Sequence, residues 1–119
     1  MRRRCQRPNI ILCLCDQLRP FELGCYGHKI VQTPTLDRLA SEGVVFSNAV
    51  SNNPVCVPAR SIVFGGEYSR TGTGFLTNAH ANNEPPPHDR RYIPNSTIAE
   101  EFRKAGYETG LIGKWHMYP

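Results

Sequence analysis

Several features are scarce or missing from this 119-residue chain, and each absence excludes something. No apolar run approaches the ~20 residues that a membrane-spanning helix needs. Net charge is only +4, much of it in Arg2, Arg3, Arg4 and Arg7. No basic face interleaved with aromatics accompanies these arginines, which argues against nucleic-acid binding and leaves residues 1–7 as a solvated basic tail. The basic start leads into the apolar run 10–15, but that run is short and ends in Asp16 with no small-residue cleavage site, unlike a signal peptide. As written, the chain reads as cytoplasmic, or as periplasmic or secreted if a leader lies upstream. Cysteines number five, an odd count that argues against a disulfide framework without a leader. There is no C-x-x-C, and His28, His80, His88 and His116 lack the spacing of a structural zinc site.

What is present points to a small, loop-rich domain. Ten prolines and ten glycines punctuate a chain whose 39% apolar content suffices for a modest core. The run Ile10-Ile11-Leu12-Cys13-Leu14-Cys15 predicts a strand buried on both faces of a parallel sheet, with Cys13 and Cys15 packed inside it. Thr33 is placed to cap a helix that has Pro34 at its first position, Leu36, Leu39 and Ala40 as its apolar stripe, and Gly43 as its end. Residues 44–50 predict a second strand. A second helix is expected to start at Cys56, turn Ile62, Val63 and Phe64 inward, and end at Gly65-Gly66. Residues 67–94 read as a long loop containing Pro85-Pro86-Pro87. Thr97-Ile98-Ala99-Glu100 is a capping box for a helix through Ala105 that Gly106 stops, and residues 107–112 predict a third strand. This order predicts an α/β fold, a mostly parallel mixed sheet flanked by helices.

Placed on that framework, the polar residues converge. Asp16-Gln17 follows the first strand, Cys56 follows the second after a short loop, and Lys114 and His116 follow the third. Ligands of open parallel sheets bind beyond the carboxyl ends of the strands. An acid, a nucleophile candidate, a cation and an imidazole are thus expected at one edge. Asp16 offers a hard oxygen suited to a divalent cation. Cys56 at a helix N-terminus sits where free N–H groups and the dipole attract anions. Arg60 lies one helical turn along the same face, and Lys114 adds a second cation. Together they would neutralise charge on a tetrahedral oxyanion, while His116 could protonate a leaving group or orient the nucleophile. Taken singly, each has a plainer explanation: a strand-ending aspartate, a solvated lysine, a turn asparagine at Asn78. Their order along the chain is what chance does not readily supply.

The motifs resemble those of one family. Arg7-Pro8-Asn9-Ile10-Ile11 leading to Asp16-Gln17, then Gly24-Cys25-Tyr26-Gly27 and Thr33-Pro34-Thr35-Leu36-Asp37-Arg38-Leu39-Ala40, is similar to the amino-terminal segment of sulfatases. Pro54-Val55-Cys56-Val57-Pro58-Ala59-Arg60 resembles the first sulfatase signature. The second is matched by Gly106-Tyr107-Glu108-Thr109-Gly110-Leu111-Ile112-Gly113-Lys114-Trp115-His116. On these residues the chain is identified as a member of the formylglycine-dependent sulfatases, in the alkaline-phosphatase-like superfamily, with residues 8–119 as the amino-terminal portion of the catalytic domain.

The resemblance implies a set of roles. Cys56 matches the cysteine that a formylglycine-generating enzyme oxidises to an aldehyde, whose hydrate attacks sulfur and then expels sulfate by collapsing back. Arg60 matches the arginine that steadies that hydrate, Lys114 the lysine that holds the sulfate, and His116 the histidine that hydrogen-bonds the formylglycine hydroxyl. Asp16, Gln17 and Cys56 correspond to metal contacts, with Ca2+ the expected ion and Mn2+ or Mg2+ the alternatives. Gln17 stands where many sulfatases have a second aspartate, and an Asp-Gln pair is similar to bacterial sulfatases and to phosphonate monoester hydrolases. Asn78 corresponds to a substrate-site asparagine of that bacterial branch. Val57 and Gly65 depart from the first signature without touching Cys56, Pro58 or Arg60. The implied substrate is a small-molecule or carbohydrate sulfate ester, with no nucleic-acid or membrane partner. A phosphonate monoester or phosphodiester hydrolase on the same scaffold is one alternative. A truncated, non-catalytic product is the other, since the family's remaining ligands come from later in the chain.

Overall fold

Helices form where the local signals ask for them. The computed structural model describes residues 7–78, 93 and 95–117. Arg2, Arg3 and Arg4 of the basic tail, His80, His88 and the triple proline at 85–87 lie outside the described residues. Helix α1 (Pro34–Glu42) starts with Pro34 at its first position and is followed by Gly43; α2 spans Cys56–Gly65 and α3 spans Ile98–Lys104. Two short 3-10 turns, Pro20–Glu22 and Gly24–Tyr26, precede α1. The chain divides into two compact units, Met1–Ser47 and Asn48–Pro119.

In the first unit, Thr33 departs from its expected role. It occupies the cap position of α1 but makes no side-chain bond to the helix backbone. Its hydroxyl accepts from the Gly24 N–H at 2.8 Å and donates to Asp37 Oδ1 at 3.0 Å, while the Cys25 N–H donates to the same carboxylate oxygen at 2.7 Å. Thr33 and Asp37 therefore bind the 3-10 turn 24–26 to the start of α1 rather than close the helix on itself. A Cβ at position 24 would lie 2.5 Å from Asp37 Oδ2, so a larger residue there would have to displace this carboxylate.

In the second unit, α2 buries Val57, Pro58, Arg60 and Ser61, and Gly66 ends it in the left-handed conformation (φ 69°) with its N–H on the Ile62 carbonyl at 2.9 Å. The inner face is therefore set one turn earlier than the expected Ile62, Val63 and Phe64, which are only half-buried. The reason is the partner: residues 73–75 pack there. Phe75 is 1% exposed and Val57 is fully buried, and they form the core of this unit with Pro58. The Thr73 hydroxyl donates to Ser61 Oγ at 3.2 Å, and Ser61 in turn donates to the Pro58 carbonyl at 2.8 Å. Full burial of a valine or phenylalanine stabilises by about 1.5–3 kcal/mol, so this pair fixes which side of α2 faces inward.

The capping box of α3 forms as expected. The Thr97 hydroxyl accepts from the Glu100 N–H at 3.3 Å, and the Glu100 carboxylate accepts from the Thr97 N–H at 2.6 Å and the hydroxyl at 2.9 Å. The bonds from Thr97, the backbone one foremost, hold the exposed Glu100 carboxyl below its ordinary value of 4.5. A lowered carboxyl stabilises the box above the unfolded value and loses that contribution as pH falls through the folded one. The Thr97 amide resonance is therefore expected to titrate with a midpoint below 4.5, and a midpoint at or above it would count against the box.

The sheet is the main correction. Among the described residues no strand is formed: residues 10–15, 44–46 and 107–112 run without ladder partners. Their apolar side chains face outward, with Ile11 90% and Ile112 102% exposed, and Cys13 and Cys15 are exposed thiols rather than packed ones. The physical cause is that a strand, unlike a helix, has no internal hydrogen bonds. A parallel pair is joined only across a crossover of a dozen or more residues, so a strand exists only when its neighbours do. Among the described residues no helix is long and apolar enough to cross a membrane.

Candidate active site

Cys56 occupies the first position of α2, the helix start that its sequence context predicts, and its side chain is half-buried. The helix is preceded by Val55, whose side chain has no acceptor, and Pro58 at the third position has no N–H to satisfy. The Ala59 N–H closes on the Val55 carbonyl at 2.8 Å. The N–H of the fully buried Val57 is instead accepted by Asn78 Oδ1 at 3.0 Å, across 21 residues of sequence. A second bond, Asn53 Nδ2 to the Leu76 carbonyl at 3.2 Å, ties the segment before Cys56 to the segment before Asn78.

Arg60, one turn along, is 6% exposed, and its Nη1 donates to the Lys114 carbonyl at 2.6 Å. Another turn along, the Phe64 ring meets the Trp115 ring with centroids 5.1 Å apart and planes tilted by 52°. Residues four apart lie on one face of a helix, so Arg60 and Phe64 clasp two consecutive residues of the later segment. This brings Arg60 and the second motif together over 54 positions of sequence. The link runs through the main-chain oxygen of Lys114 and the ring of Trp115.

His116 is the strained residue of the site. Its φ is 56°, and among the described residues no other non-glycine has a positive φ. For a histidine that conformation costs roughly 1–3 kcal/mol and persists only where the surroundings hold it. Its Nδ1 is also buried without a hydrogen-bond partner among the described residues. Gly113, three residues earlier, takes φ 108°, so the backbone bends sharply into the clasped pair and again out of it.

Asp16 and Gln17 lie in the first unit, both exposed, with the Asp16 carbonyl accepting from the Leu18 N–H. Among the described residues no group of three or more His, Cys, Asp or Glu is gathered to hold a metal ion. The oxygen donors of Asp16 and Gln17 match a hard divalent cation in kind, and supply part of the six to eight oxygens calcium takes.

The description that matches this chain at the family level is "Sulfatase", over residues 8–119. The chain belongs to the sulfatase family. Sulfatase relatives carry the same span: human N-acetylgalactosamine-6-sulfatase is 41% identical over 115 residues, covering 94% of this chain and 22% of the relative. Human steryl-sulfatase is 39% identical over 120 residues (93% and 19%), and the arylsulfatase of Clostridium perfringens is 38% identical over 115 residues (95% and 22%). This sulfatase chain thus spans about a fifth of the length of the curated relatives it matches. No solved structure matches it. Membership implies an alkaline-phosphatase-like α/β fold, whose sheet the described residues do not themselves form.

Two features of the site escaped the sequence reading. The Asn78–Val57 bond had a legible cue, a helix start with Val55 at its cap and Pro58 at its third position, which must find its acceptor elsewhere. The Phe64–Trp115 contact had a weaker one, an aromatic one turn beyond Arg60.

Proposed function

We propose that the full-length protein hydrolyses sulfate esters at a site centred on Cys56. The observation that carries this is the placement of Cys56 at the first turn of α2, with Arg60 of the same helix bonded to the segment holding Lys114 and His116. The names of the relatives span amino-sugar, steryl and aryl sulfates, so the shared chemistry is the sulfate ester.

Formylglycine made from Cys56 by a formylglycine-generating enzyme would supply, as its hydrate, a hydroxyl nucleophile with a built-in route for sulfate release. Asp16 and Gln17 would contribute oxygen donors to a divalent cation, calcium before manganese or magnesium, that adds Lewis acidity. The chain's own residues do the rest. The Lys114 ammonium draws in the anionic ester and offsets charge on its oxygens. Arg60, held by its bond to the Lys114 carbonyl, keeps a guanidinium one turn from the nucleophile. His116 delivers a proton to the departing alkoxide or holds the attacking hydroxyl in line, and its fixed backbone keeps the imidazole from wandering.

The test is made on the full-length protein. The peptide containing Cys56 is expected to show by mass the replacement of sulfur by an aldehyde oxygen. An aryl sulfate is expected to be turned over at least about tenfold better than the matching phosphonate monoester, in kcat/KM. Preference for the phosphonate would transfer the proposal to phosphonate hydrolysis, and an unmodified, fully active Cys56 would end it.

A further inference from the structure

The residue that holds the nucleophile helix in place is supplied from outside the helix. From the geometry we infer that Asn78 is a positioning residue: its side-chain oxygen serves as the missing N-cap of α2 and thereby sets the first turn, which carries Cys56. The resemblance by itself gave Asn78 a substrate-side role; the bond it makes here assigns it a different one.

The argument starts from the donors that every helix leaves open at its start. In α2 the third position is Pro58, which has no N–H, and the Ala59 N–H is taken up by the Val55 carbonyl at 2.8 Å. The second position is Val57, whose residue is wholly shielded from water and so cannot satisfy its N–H there. A local cap would come from the side chain before the helix, but that residue is Val55, and no side-chain cap bond forms. Asn78 Oδ1 accepts from the Val57 N–H at 3.0 Å and so satisfies the donor at the second position. The bond does not depend on a lone, loose side chain. Asn53 Nδ2 holds the Leu76 carbonyl at 3.2 Å, Phe75 is buried, and the Thr73 hydroxyl is bonded to Ser61 of α2. Residues 73–78 are thus fastened to α2 at both ends, through Thr73 and Asn78, and to Asn53 between them, and the last of them lies beside the residue that follows Cys56. A first turn held this way has one orientation. The same turn without its acceptor would fray or shift, and a shift of about 1 Å in a reacting group can cost on the order of a hundredfold in rate.

The link from cap to turnover rests on the proposed nucleophile role of Cys56, whereas the cap itself does not. The experiment therefore reads both. Three variants of the full-length protein are compared: Asn78→Ala removes the acceptor, Asn78→Gln carries it one methylene too far, and Asn78→Asp keeps an oxygen in place without the amide donors. Hydrogen exchange at the Val57 amide, read without substrate, is expected to speed up about fivefold in the alanine and glutamine variants and to stay within about twofold in the aspartate variant. Turnover of an aryl sulfate is expected to lose about tenfold in kcat, with KM within about twofold, in the first two and to recover most of that in the third. Unchanged Val57 exchange in Asn78→Ala, or in Asn78→Gln should the alanine variant not fold, overturns the cap. Restored exchange in Asn78→Asp without restored kcat overturns the positioning role and returns Asn78 to direct contact with substrate through its amide donors. A wild-type protein that hydrolyses no sulfate ester defeats the proposed function, and the exchange data still decide the cap.

Discussion

Alanine at position 56 of the full-length protein is expected to lower sulfate-ester turnover by at least about ten-thousandfold, with little change in thermal stability. The size follows from what is removed. Loss of a covalent nucleophile costs about 10⁴–10⁶ in kcat where the remaining groups still bind and polarise the substrate. The small stability effect follows from the site: the Cys56 side chain is half-buried at the first position of α2, while the core beneath it is made by Val57, Pro58 and Phe75. Serine at the same position separates attack from release. Its hydroxyl can take the sulfuryl group and release the alcohol, but it has no second hydroxyl with which to expel sulfate. One equivalent of alcohol per protein followed by arrest is the expected progress curve. Steady turnover by either variant at a tenth of the wild-type rate or more would remove Cys56 from the mechanism.

The second large effect is expected at Arg60, because this side chain acts twice. Its Nη1 bond to the Lys114 carbonyl is a partly buried, charge-assisted link across 54 positions of sequence. Such bonds contribute about 1.5–3 kcal/mol, so Arg60→Ala is expected to destabilise the full-length protein by about that amount. Turnover is expected to fall further than stability alone explains, by about 10²–10³ in kcat, since a cation one turn from the nucleophile is also lost. Arg60→Lys discriminates between the two functions: it retains the charge but not the planar fork that reaches the carbonyl. Trp115, the single tryptophan of these 119 residues, packs on Phe64 one turn further along. Its emission in the full-length protein, taken as the difference from a Trp115→Phe variant, therefore reports whether the second motif is still docked. A red shift in Arg60→Lys with a loss of roughly tenfold or more in kcat is the expected outcome. An unshifted emission with wild-type kcat would mean that the clasp does not position Lys114 and His116.

The parts of this molecule that are local in sequence were legible in it. The Thr97–Glu100 box, Pro34 at the first position of α1 and the glycine end of α2 each depend on residues within a turn or two, and each formed. Position 33 shows the limit even there: a threonine before a helix can cap it or serve a neighbour, and here Gly24 and Asp37 took its oxygen. The buried face of α2 was not legible because residues 73–75, not the helix, decide which side turns inward. The strands were recognisable as apolar runs, yet a run such as 10–15 carries no information about which neighbours will pair with it. At the candidate site the residues Cys56, Arg60, Lys114 and His116 were named from motif and resemblance. The bonds around them, Val57 to Asn78 and Arg60 to Lys114, are made across 21 and 54 positions, where no sequence period reaches.

The separation between Val57 and its acceptor also has a meaning in time. A chain grows at about 5–20 residues per second, so residue 78 follows residue 57, 21 positions earlier, by about one to four seconds. During that interval the Cys56 segment lacks its cap, and for all but the last few residues of it also the buried phenylalanine at 75. Cys56, Pro58 and Arg60 are then legible as a linear peptide, to any enzyme that must grip all three to reach the thiol. Once Asn78 arrives, two of those three residues are sealed in the helix interior. For the proposed conversion of Cys56, the cap of α2 would in this sense also be a clock.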